Sequence, residues 1–235
     1  MTYPLYSVVW LFMCASISAF AAQPSSVVAS YDVYKGGIKL AQIDEIYTRQ
    51  KDHYTLFSTT RPVGLLAIFK PGKILIKSDG LVNSQGLRPL HFSDLREKDE
   101  SRNRSAEFDW NKGKLTLINH EEQREFPLPA GTQDRLSAMY QFMFLSLAKS
   151  DSLSFHMTNG NKIDIYNYHV TPNQTVSVPL GKFKGLYVAS VPEADASRTE
   201  IWLVETPISF PYKMVITDKD GEKFSQELTK FEWVP

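Results

Sequence analysis

The sequence predicts a mainly β fold: a curled antiparallel sheet, or a partly open barrel, of ten or more strands with one amphipathic helix. Three observations predict it. Turn signals built on Gly, Pro, Asn and Asp recur about every 8 to 15 residues. The stretches between them are rich in β-branched and aromatic residues, which suit a pleated surface. One stretch, 134–149, instead carries apolar residues at helical spacing.

Taken in order, Val27–Tyr34, the Lys35-Gly36-Gly37 turn and Ile38–Thr48 read as a hairpin. His53–Thr60 alternates, with Tyr54 and Leu56 on one face and Ser58 in line with them. Pro62, Pro71 and Gly72 bracket Val63–Phe69, an apolar run without clean alternation. It reads either as a fully buried strand or as an apolar lip at the mouth of a cavity. Ile74–Lys77 is a short strand. Phe92–Glu97 and Arg102–Trp110 read as a charged, solvent-facing pair joined through Lys98-Asp99-Glu100-Ser101. Asn111-Lys112-Gly113 turns into Lys114–Asn119, since Asn and Gly tolerate positive φ.

In the second half, Asn159-Gly160 is the strongest hairpin signal and joins Leu153–Thr158 to Lys162–Tyr168. Thr175–Pro179, Lys182–Val191, Thr199–Val204 and Tyr212–Thr217 continue the pattern. Asp218-Lys219-Asp220-Gly221 turns the chain into a last strand, Glu222–Val234. Between the halves, Leu136, Met139, Tyr140, Met143, Phe144 and Leu147 form a helical stripe. Asp134 suits the helix cap, and the spacing predicts about four turns. A helix packed against the concave face of a curled sheet would cover that face, or would leave an apolar cavity where it does not fill it.

Residues 1–21 read as a cleaved signal peptide. An apolar run from about Val8 to Phe20 ends in the small-x-small pattern Ala19-Phe20-Ala21. The run is shorter than the roughly 20 residues that span a bilayer. Met13 precedes Cys14, so the cysteine lacks the small neighbour that lipidation needs. Residues 22–235 then form a single β-rich domain without cysteine, which suits a bacterial periplasm better than a disulfide-stapled eukaryotic exterior. No later segment is apolar enough to span a membrane. Lys plus Arg equals Asp plus Glu, 26 each, so no basic field exists to attract nucleic acid.

No catalytic or metal-binding motif emerges. The histidines, His53, His91, His120, His156 and His169, have no ligand spacing. There is no G-x-S-x-G elbow, and no cofactor is implied. Asp134 and Ser137 stand one helical turn apart and are the one pair a hydrolase reading can nominate, against the capping reading of Asp134. The carboxylates at Asp94, Glu97, Asp99 and Glu100, and at Glu121, Glu122 and Glu125, are interleaved with Arg and Lys. They read as solvated strand faces with ion pairs.

Several phrases in order carry a resemblance: Ser84-Gln85-Gly86-Leu87-Arg88-Pro89, Phe92-x-Asp94-x-Arg96, Phe108-Asp109-Trp110, Gly131-Thr132-Gln133-Asp134-Arg135-Leu136-Ser137, Ile201-Trp202-Leu203 and Pro211-Tyr212-Lys213-Met214-Val215. Together they resemble the bacterial exported family known as domain of unknown function 3108, over roughly residues 28–230. The resemblance implies a periplasmic β-rich domain and no reaction or catalytic residue. In architecture alone, a curled sheet with a helix is similar to the outer-membrane lipoprotein carriers. The expectation is therefore a non-enzymatic periplasmic protein that binds lipid or another apolar ligand. Leu65, Leu66, Ile68 and Phe69, with Met139, Met143 and Phe144 of the helix, are the candidate lining. The alternative is an envelope assembly or scaffolding factor that works through protein contacts.

Overall fold

The computed structural model describes residues 23–69, 71–191, 197–206 and 208–235, so the expected signal segment and Cys14 lie outside the described residues. Fifteen strands among the described residues form one open sheet. The first half is a meander: β1 (Ser26–Lys35), β2 (Ile38–Gln50), β3 (His53–Pro62), β4 (Ile74–Asn83), β5 (Gly86–Arg96), β6 (Arg104–Asp109), β7 (Lys114–Asn119) and β8 (Glu122–Pro127). A short helix, α1 (Leu65–Phe69), interrupts the connection from β3 to β4. The second half begins with β9 (Gln133–Asp134) and α2 (Ser137–Gln141). It continues with β10 (Ser152–Thr158), β11 (Ile163–Val178), β12 (Gly181–Ser190), β13 (Arg198–Val204), β14 (Phe210–Thr217) and β15 (Lys223–Val234).

The two meanders meet where β1 pairs antiparallel with β15, from Ser26 opposite Val234 to Lys35 opposite Phe224. The ends of the sheet are β8 and β9, both from the middle of the chain. All neighbours are antiparallel except β9, which runs parallel to β10.

Alternation decides which way each strand faces. Val27, Ala29 and Tyr31 of β1, Tyr54 and Leu56 of β3, and Leu115 and Leu117 of β7 all point inward and are buried. The sheet curls until the β10–β11 turn rests on the first half. There Arg124 Nη2 donates to the Asn161 carbonyl at 2.7 Å, and Asn119 Nδ2 donates to Asn161 Oδ1. Gly160 makes this approach possible. Its φ is +82°, and a Cβ there would meet Arg104 Cβ at 3.0 Å. No strand pairing joins β8 to β9 or β10, so the barrel stays open. The β8 edge carries Glu122, Arg124, Glu125 and Pro127, residues that discourage further strand addition.

The segment after β8 enters the curl and plugs it. The predicted four-turn helix is shorter than expected. Its α-helical part is Ser137–Gln141, a 3-10 turn covers Phe142–Phe144, and Leu145 is already extended. The apolar stripe continues beyond the helix because Leu147 packs into a second core cluster with Phe142, Tyr168 and Val188. Tyr140 is fully buried at the centre. It stacks on Tyr47 at 5.8 Å and meets Phe210 edge-on at 5.4 Å. Such aromatic pairs add about 0.5–1.5 kcal/mol each beyond the area they bury.

Val63–Phe69 is not a buried strand. The run forms α1 instead, on the outside, with Leu65, Ile68 and Phe69 exposed at 73%, 71% and 78%. Without two-residue alternation it cannot offer one face to the sheet.

Candidate functional site

The hairpin connections sort into two rims. The β1–β2, β3–β4, β5–β6, β10–β11, β12–β13 and β14–β15 connections all lie at one rim, because every strand pair concerned is antiparallel. The opposite rim holds the start of β1, the end of β15 and a dense cluster that includes Tyr47, Tyr54, Val82, Leu87 and Phe210. On the first side the plug does not fill the curl.

A cavity of about 960 Å³ remains there, at the upper end of the usual range for small-molecule sites. Its apolar wall includes Ile43, Ile74, Ile76, Leu136, Met139 and Met214. Its polar lining includes Glu45, Ser58, Thr60, Arg96, Arg135 and Lys213. Lys162, which is exposed, and Asp164, which is half-buried, also line it, so the cavity communicates with solvent at this rim.

Of the expected lining residues, the structure brings Met139 to the cavity. Met143 and Phe144 pack on the central cluster instead, because the short helix turns them toward the sheet. Leu65, Leu66, Ile68 and Phe69 are not in the wall, since α1 projects outside. They sit beside the mouth all the same. Thr60 and Ile74, which flank the α1 connection and face each other in register, both line the cavity.

Asp134 and Ser137 are fully buried. Asp134 Oδ1 accepts the amide N–H groups of Leu136 and Ser137, each at 2.9 Å. Its Oδ2 accepts the Ser78 hydroxyl at 2.5 Å. The Ser137 hydroxyl is tied to the Asp134 backbone, 3.1 Å from its carbonyl. Burial pushes the Asp134 carboxyl above its usual range, against these hydrogen bonds. The arrangement holds the start of α2, and neither side chain reaches solvent. Among the described residues no group of three or more His, Cys, Asp or Glu is placed to hold a metal.

Two features of the cavity escaped the sequence reading. Glu45 is buried in its wall, where its carboxylate accepts the Ser58 hydroxyl at 3.0 Å and the Tyr140 hydroxyl at 3.2 Å. Burial outweighs both bonds and raises the Glu45 carboxyl to about 7. A signal was available, since Glu45 shares the inward face of β2 with Ala41, Ile43 and Tyr47. The second feature is an arginine pair around one acid. Asp94 Oδ2 accepts from Arg135 Nη2 at 2.9 Å and lies 3.5 Å from Arg96 Nη2. The sequence placed Asp94 and Arg96 on a solvated face, whereas the Asp94 side chain is only 2% exposed.

A fifteen-strand open barrel with an internal plug and a side cavity defines the class, a β-barrel-like domain. The chain belongs to the DUF3108 family, whose description is protein of unknown function; the match covers residues 30–229. Among solved structures it is similar to a β-barrel-like protein of domain of unknown function DUF1849 from Brucella abortus. The TM-score is 0.58 at 13% identity, over 91% of this chain and 99% of that one. At that identity the likeness is one of fold. No curated protein matches.

Proposed function

We propose that this protein is a non-enzymatic binding protein of the bacterial periplasm, exported by residues 1–21, that holds the apolar part of a lipid-like ligand inside its curled sheet. The observation that carries this reading is the cavity of about 960 Å³, walled on one side by Ile43, Ile74, Ile76, Met139 and Met214. Each methylene moved from water into such a wall gains about 0.8 kcal/mol, so one acyl chain is held without covalent chemistry. The exposed apolar helix α1 stands beside the mouth and offers the ligand a first contact. The cysteine-free sequence from residue 22 onward suits the compartment. The scaffolding alternative would use a bare sheet edge, and the charged, proline-ended β8 does not favour it.

Native mass spectrometry of gently isolated protein tests the reading. The expected result is a co-purifying lipid that is weakened or lost in Met139→Trp, whose indole projects into the space the chain would occupy, while circular dichroism shows the sheet intact. Protein that never carries lipid and binds no acyl probe refutes it.

A further inference from the structure

We infer that the ligand of this cavity is an amphiphile with an anionic head, a carboxylate or a phosphate, gripped by Arg96 and Arg135. The inference rests on the cavity being a binding site. Both guanidinium groups line it, Arg96 from the last residue of β5 and Arg135 from the residue after β9. Asp94 is the one acid that pairs with either of them among the described residues. Arg104, backbone partner of Asp94 across β5 and β6, also acts electrostatically on Arg135. Three guanidinium groups thus gather around two carboxylates, Asp94 and Asp134.

The other cations of the cavity are already balanced. Lys162 pairs with Asp164 at 2.5 Å, and Lys213 pairs with Glu227 at 2.7 Å. The surplus positive charge of the cavity is therefore concentrated at the arginines. Nε of Arg96 and of Arg135 are both buried without an acceptor among the described residues, and Asp94 Oδ1 is buried without a donor. An excess of guanidinium groups over carboxylates in a half-desolvated wall is unfavourable until a further anion answers it. The planar fork of arginine matches a carboxylate or phosphate oxygen pair. Glu45 lies in the wall beside Ser58 and Tyr140, and its ionised form repels a like charge. The head is thereby directed to the arginines, and the chain lies along Ile43, Ile76 and Met139.

The test compares four probes on the full chain by calorimetry: hexadecanoate, hexadecyl phosphate, hexadecanol and inorganic phosphate. The two anionic amphiphiles should bind at least about tenfold tighter than the alcohol, as a charged hydrogen bond implies. Arg96→Gln and Arg135→Gln should abolish that preference, bringing the two anionic amphiphiles down to the affinity of hexadecanol in the same variant. Asp94→Asn adds net positive charge to the cluster and should tighten anionic amphiphiles several-fold. It carries the test with opposite sign if the arginine variants do not fold. Hexadecanol binding as tightly as hexadecanoate in every variant overturns the anionic head and leaves the apolar cavity standing. Inorganic phosphate binding as tightly as hexadecyl phosphate makes a free anion the ligand and overturns the amphiphile. Failure of all three chain-bearing probes refutes the cavity reading itself.

Discussion

Glu45→Gln should stabilise the protein at pH 8 by about 3 kcal/mol and change it little at pH 4. The figure comes from the burial that raises this carboxyl from 4.5 to about 7, at about 1.4 kcal/mol per pH unit. The sign follows from proton counting. Between those two values the folded protein keeps a proton that the unfolded chain has released. Stability therefore falls as pH rises through that window, and above about pH 7 the loss is complete. A glutamine amide does not titrate, so the Glu45→Gln variant lacks this fall, while its amide oxygen still accepts from Ser58 or Tyr140. Other titrating groups, Asp134 among them, are common to both proteins and cancel in the difference. Urea unfolding followed by tryptophan fluorescence at intervals from pH 4 to 8 measures it. A stability gap between the two proteins that is the same at pH 5 and pH 8 refutes the account.

Tyr140→Phe removes the hydroxyl that donates to Glu45 and should cost about 1 kcal/mol or more at pH 8, and less at pH 5 where the acid is neutral; the same titration reads it. Gly185→Ala would place a Cβ 1.8 Å from the Leu203 carbonyl oxygen. It should abolish soluble folded protein, as circular dichroism and yield will show, since backbone atoms on the neighbouring strand cannot give way. Replacing Leu65, Ile68 and Phe69 together by Ser should leave the melting temperature within about 2 °C, because all three are exposed. The same variant should slow uptake of a fluorescent fatty acid. Unchanged uptake removes α1 from the entry route.

Much of the fold was legible because the sheet obeys local rules. Asn111-Lys112-Gly113, Asn159-Gly160 and Asp218–Gly221 each mark a hairpin that the structure contains. What sequence could not supply was length. β4 and β5 run on through a bulge at Asp79 and Gly80, where the alternation that marks a strand breaks although the pairing continues. The helix is shorter than its stripe for the converse reason: Leu147 keeps the helical spacing although it is buried by an extended segment. The candidate site was legible only at Met139. Its charged members come from β2, β5, the residue after β9, the start of β11 and β14, and only the curl of the whole sheet brings them together. Asp94 and Arg96 look like surface residues in a charged strand, and nothing local shows that the plug covers them. Val63–Phe69 misled because apolarity alone does not say inside.

The seam between β1 and β15 joins residues from opposite ends of the chain, as far as 209 positions apart where Ser25 meets Val234. Each meander can zip from neighbouring hairpins, but this seam must wait for the final strand, Lys223–Val234. Closing it carries the largest loop-closure cost of any strand pairing in the described sheet. A polypeptide clipped before Lys223 would leave Val27, Ala29 and Tyr31 beside an unsatisfied ladder in the middle of the wall rather than at a protected border. The carboxyl end therefore works as a keystone, and its loss would expose a sticky template to proteases and to other chains.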